Sequence, residues 1–182
     1  MLTEKGFANV KQFCYPIVAF FALAGIAQPQ TSSNPLSSDI KRGYESVKKN
    51  LVAAAEKVPD DDYAFKPTPE MRSIAEVFGH AASAQMRVCS AATGSQGPAL
   101  KTDGKANIVA ALKASSEACD RAFDSLTDSN ATEMVKLPWG EATKLGALAG
   151  VVTHDTEQYA ALAVYMRLKG IVPPSSERAG RR

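Results

Sequence analysis

Aromatic residues are scarce, at 7% of the chain with a single tryptophan, and no strand-like alternation of β-branched and polar residues stands out. A sheet-rich fold is therefore disfavoured, and the plentiful alanine points to helix instead. No excess of charge is present either. The formal net charge is +2, which excludes the basic footprint that nucleic-acid binding demands. There is no phosphate-binding glycine loop, no defensible Ser-His-Asp order, no Cys-x-x-Cys pair, no internal repeat and no heptad pattern. Asp60-Asp61-Asp62 lacks the alternating ligand spacing of a calcium loop and reads as a solvated turn. Only two histidines occur in 182 residues, His80 and His154, so any imidazole chemistry rests on that pair.

The longest apolar stretch, Phe13 to Ile26, falls short of the roughly 20 residues that span a bilayer, and Pro16 interrupts it. Lys5 and Lys11 precede it. Gly25 and Ala27 follow at the spacing that signal peptidase accepts, and a polar stretch opens at Gln28. This is the layout of a secretory signal over residues 1–27, with cleavage after Ala24 as a second fit. An uncleaved N-terminal anchor is the alternative. Cleavage predicts a periplasmic or secreted protein with no stable membrane anchor. It removes Lys5, Lys11 and Glu4 and leaves a net charge of +1. Cys14 departs with the signal, leaving Cys89 and Cys119 for an oxidising compartment. The two form either a disulfide or a pair of buried thiols.

Beyond a linker at residues 28–37, four amphipathic segments follow. Ser38–Val58 carries an apolar stripe through Ile40, Tyr44, Val47, Leu51 and Ala55, with Ser38 or Asp39 as its cap. Ser73–Thr93 places Ile74, Val77, Phe78, Ala81, Gln85 and Val88 on one face. Lys105–Leu126 does the same with Ile108, Leu112, Cys119, Ala122 and Phe123. Glu141–Lys169 closes the set, stopped by Gly170 and Pro173-Pro174. Between the third and fourth segments, Thr127 to Gly140 is long enough for a crossover and has room for a short extended piece. The simplest scheme that buries four such stripes is an all-α four-helix bundle over residues 38–174. Residues 175–182, with Arg178, Arg181 and Arg182, read as a solvated, flexible tail.

In the last segment Ala147, Val151, His154, Gln158, Leu162 and Tyr165 fall in one stripe, which makes His154 and Gln158 i, i+4 neighbours on the expected inward face. Such a pair can hold one ion if both side chains have suitable donor atoms. His80 flanks the apolar face of the second segment and can point along the seam towards the fourth. The competing reading of each histidine is a hydrogen-bonded structural residue. Trp139 reads either as a pocket-mouth residue or as packing at the start of a helix.

Two separated motifs sharpen the choice. Tyr63-Ala64-Phe65-Lys66-Pro67-Thr68-Pro69-Glu70-Met71-Arg72-Ser73, followed by Gly79-His80-Ala81, resembles the lead into the second helix of the DinB-like superfamily. His154-Asp155-Thr156-Glu157-Gln158-Tyr159 through Gly170-Ile171-Val172-Pro173-Pro174 resembles that family's last helix and exit. The resemblance implies a four-helix bundle that binds a divalent ion, often zinc or nickel, through three histidines. Carried over by position, the ligands are His80, His154 and residue 158. The third is glutamine here, a neutral and weaker donor than imidazole for these metals. Glu157 points about 100° away around the helix and is a poor substitute. The resemblance further implies a small-molecule substrate, a homodimer, and activity as a thiol-dependent transferase or isomerase. Low-molecular-weight thiols are cytosolic, however, so an exported bundle without catalytic activity is the second reading.

Overall fold

The computed structural model describes residues 33–177, so the signal and cleavage sites expected over residues 1–27 lie outside the described residues, as do Arg178 to Arg182. The helices are α1 (Pro35–Lys57), α2 (Ile74–Ala92), α3 (Gly104–Ser125), α4 (Lys144–Leu168) and a final turn, α5 (Pro174–Glu177). A single 3-10 turn, Asp60–Asp62, follows α1. A hairpin of β1 (Met134–Leu137) and β2 (Gly140–Thr143) precedes α4. Among the described residues no helix is long and apolar enough to cross a membrane.

The all-α architecture expected from the apolar stripes is the one adopted. α2 packs on α3 and α4, and α1 packs on the same two helices. Sequence neighbours α1 and α2 are therefore diagonal in the bundle, as are α3 and α4. The connection from α3 to α4 is the crossover, and the hairpin forms part of it.

Local chemistry sets the helix ends. α1 starts earlier than expected, at Pro35 and within the stretch read as linker, because proline suits a first helical turn and a remote residue caps it. Asp128, in the crossover, accepts from the backbone N–H of Ser37 at 2.9 Å and of Leu36 at 3.2 Å, so neither Ser38 nor Asp39 is the cap. Those bonds hold the Asp128 carboxyl below its ordinary range, the Ser37 hydroxyl contributing most. α2 opens with a reciprocal capping box between Ser73 and Glu76. α4 starts at Lys144 instead of Glu141, since residues 140–143 are extended, and Thr143 Oγ1 caps it by accepting from Gly146 N. In β1, Val135 and Leu137 point inward at the strand period of two, while Pro138 and Trp139 form the tip. Ser175 and Ser176, expected in the tail, are held in α5 by Tyr159 and Arg167.

The core has two apolar halves. One gathers Leu51, Phe78, Ile108, Leu112, Leu162 and Met166. The other gathers Tyr44, Cys89, Cys119, Phe123, Leu148 and Val151. The sulfurs of Cys89 and Cys119 are bonded, their Cα atoms 4.8 Å apart, which resolves the choice between a bridge and two thiols. Between the halves, Gln85 of α2, Ser115 of α3 and Asp155 of α4 form a polar layer that is almost wholly inaccessible to water.

Candidate functional site: a histidine pair beside a polar layer

α2 and α4 each bring one histidine to the groove between them. The two Nε2 atoms stand 2.9 Å apart, with the rings inclined at 62° and their centroids 4.9 Å apart. Both side chains are half-buried. The pair lies mid-way along the bundle, level with the polar layer, and not at an end of the core. Burial lowers the His80 pKa first, and the positive charge of Arg72 lowers it further, with smaller contributions from His154 and Arg87. A neutral His80 leaves two arrangements for nitrogens this close. One imidazole can donate N–H to the other, or both can present lone pairs to a single cation.

Asp155 is the neighbour that matters to this choice. Its side chain is fully buried, and burial raises its pKa. Oδ2 accepts from Gln85 Nε2 at 2.7 Å, and Gln85 Oε1 accepts from Ser115 Oγ at 2.6 Å. Oδ1 has no hydrogen-bond partner and faces His154 Nδ1 at 3.5 Å, beyond hydrogen-bond reach but close enough for coulombic attraction. A carboxylate on that side favours the proton on Nδ1 and leaves Nε2 of His154 free as a lone pair towards His80.

The inward stripe of α4 differs from the expected one by one position at its centre. It runs through Ala147, Val151, Asp155, Tyr159 and Leu162, which places His154 and Gln158 on its flank, half-buried. Gln158 lies one turn beyond His154 on the same side of the helix. It makes no hydrogen bond to either imidazole and takes no part in the cavity wall described next. No group of three or more histidine, cysteine or acidic side chains is placed to hold an ion among the described residues.

The histidines open onto a cavity of about 390 Å³ between α2, α4 and the hairpin. Ala84, Val88, Ala142 and Ala147 make its wall apolar, Gly146 and Gly150 keep the α4 side low, and Arg87 and Trp139 stand on its lining. Trp139 is thus a cavity residue and not a packing residue, at 64% exposure. Sequence reasoning passed over Asp155, Ser115 and Arg87. Gln85 within an apolar stripe was the available signal for the polar layer.

These features define a four-helix bundle with a paired-histidine groove. The chain belongs to the DinB superfamily, whose family model matches residues 44–161. A DinB-like protein from Bacillus cereus has a similar structure, with a TM-score of 0.62 at 15% identity, over 75% of this chain and 95% of that one. A DinB-like protein from Bacillus subtilis gives 0.58 at 17% identity, over 72% of this chain and 92% of that one. At these identities the likeness speaks for the fold alone. No curated protein matches the chain.

Proposed function

We propose that this DinB-superfamily protein is exported and holds a divalent ion, zinc or nickel, in a reduced site made by His80, His154 and Gln158, as part of a metal-dependent transferase. One observation carries the reading: two Nε2 atoms from different helices at 2.9 Å, a spacing suited to neighbouring ligand atoms on one ion with bonds of ~2.0–2.1 Å. The donor set fits in two of its members. The two imidazoles approach each other through Nε2, and the unpartnered Oδ1 of Asp155 lies on the Nδ1 side of His154, where a ligating histidine usually has a carboxylate. Gln158 supplies a neutral amide oxygen one turn away, so the third position is weak and open to water or substrate. A bound ion would supply Lewis acidity toward a substrate oxygen or sulfur. The Asp155 carboxyl lies 3.5 Å from His154 Nδ1, and the adjoining cavity provides room for a small molecule.

Export is supported by the layout of residues 1–27 and by the Cys89–Cys119 bridge, since disulfides persist in oxidising compartments. The second reading, a bundle that binds without catalysing, is favoured by the absence of a third histidine or acidic ligand at the pair among the described residues. The deciding experiment is elemental analysis of untagged protein, followed by zinc and nickel titration of the parent, His154→Ala and Gln158→His. Stoichiometric metal lost in His154→Ala supports the site, and a parent that takes up neither metal refutes it. The intact mass of the native protein tests export, with an N-terminus near Gln28 expected and retention of Met1 refuting it.

A further inference from the structure

The cavity beside the histidines has a one-sided chemistry. Its lining carries one exposed guanidinium, that of Arg87, which makes no hydrogen bond and no ion pair with any described residue. The only acid in the lining is Asp155, which is fully buried, with one oxygen committed to Gln85 and the other turned to His154. Nothing in the wall therefore neutralises Arg87. A larger depression of about 810 Å³ lies on the other side of Arg87 and Leu137, between α2 and the loop after it, and also contains Lys136. It has no imidazole, and across the hairpin Lys136 is paired in register with Glu141. Arg87 therefore borders both hollows, and the histidine pair and Trp139 distinguish the smaller one.

The rest of that cavity suits a flat apolar body. Trp139 is the most exposed large hydrophobic side chain among the described residues, and it is held at the hairpin tip on the cavity lining. Opposite, α4 presents Gly150 and Gly146, about one and two turns before His154. A Cβ at Gly150 would meet no atom within 4 Å, so a side chain placed there would project into open space beside the histidines. In mid-helix, glycine is less favourable than alanine, and packing gives no reason for it here.

We infer that the cavity binds a small amphiphilic anion, with its anionic group on Arg87 and its flat apolar body between Trp139 and the Gly146–Gly150 floor. A planar guanidinium holds a planar oxyanion through paired N–H donors, and an indole face covers a flat apolar body. The inference deepens the proposed function by naming the substrate class, and it rests on that reading only for placing the bound molecule beside a reactive centre.

The test uses the full chain and two fluorescent probes with one aromatic framework, 8-anilinonaphthalene-1-sulfonate and its uncharged counterpart N-phenyl-1-naphthylamine. Trp139, the sole tryptophan, reports occupancy from the protein side. The sulfonate is expected to bind one-to-one and to quench Trp139. Arg87→Gln should weaken it about tenfold or more while leaving the uncharged probe within about twofold, as expected for loss of a charge-assisted contact. Gly150→Leu should abolish binding of both without lowering the melting midpoint, because it fills empty space and removes a helical glycine. Equal effects of Arg87→Gln on the two probes, or unimpaired binding to Gly150→Leu, would overturn the inference. Zinc and nickel titrations of the same samples separate the two readings. Probe binding of the expected pattern without metal uptake sinks the metal site alone. Metal uptake with probe binding indifferent to Gly150→Leu sinks the anion cavity alone.

Discussion

Reducing the Cys89–Cys119 bridge offers the largest well-defined perturbation of this fold. The bridge ties the last turn of α2 to α3 across a loop with a sequence separation of 30. In the chain-entropy treatment, closing a loop of that length removes about 3.6 kcal/mol of denatured-state freedom at 25 °C. Both sulfurs lie in a fully buried part of the core, so substitution by alanine would add a packing loss to the entropic one. Chemical reduction leaves every side-chain atom in place and isolates the cross-link. For a domain of this size each kcal/mol moves the melting midpoint by roughly 2–4 °C, so full reduction should lower it by about 7–14 °C. The assay is thermal unfolding followed by circular dichroism, with and without a non-thiol reductant, the redox state of each sample being checked by intact mass. Free thiols at both positions in protein recovered from an oxidising compartment would refute the reasoning. So would a midpoint that moves by less than about 2 °C after verified reduction.

Other consequences follow from the polar layer and the histidine pair. Ser115→Ala strips the donor from Gln85 Oε1 inside a closed core, so chemical denaturation should show a loss of about 1–3 kcal/mol; an unchanged midpoint would remove the layer from the account. Gln158→His should tighten zinc or nickel binding without altering the circular dichroism spectrum; equal affinity in parent and variant would refute the reduced-site reading. The depressed pKa of His80 means the fold prefers the neutral ring, so its contribution to stability is complete above the ordinary imidazole range and is lost as pH falls through the lowered value. Metal affinity should fall in the same direction, because protonated imidazole cannot ligate. Nuclear magnetic resonance titration of the His80 ring checks the direction, and a His80 pKa above the ordinary value would contradict it.

The bundle was legible in the sequence because each helix carries its own apolar stripe and its own stop signal. Leu51, Phe78, Leu112 and Leu162 were all placed inward by spacing alone, and all are fully buried. The hairpin was less legible. Only Val135 and Leu137 alternate inward, and a four-residue strand in a polar connection gives too short a pattern to separate from a loop. The start of α1 was illegible for another reason. Its cap, Asp128, comes from 91 residues away, and no local rule reaches that far.

The site shows where periodicity runs out and three-dimensional pairing begins. Two stripes compete on α4 across His154 and Asp155. The expected one ran through the histidine because imidazole is the more apolar ring, and burying a carboxylate is ordinarily expensive. The fold takes the other stripe because Gln85 of α2 donates to Asp155 and is itself held by Ser115 of α3, which offsets much of that cost. Moving Asp155 to the centre turns His154 by one position onto the rim of the groove, where its Nε2 meets His80. Had the histidine occupied the stripe itself, it would sit in the closed core, away from the cavity that opens beside Arg87 and Trp139. The buried acid is therefore what puts the imidazole at a surface that a small molecule can reach, and the position of the histidine pair depends on a polar layer that runs from Gln85 and Asp155 at the cavity lining to Ser115 inside the core.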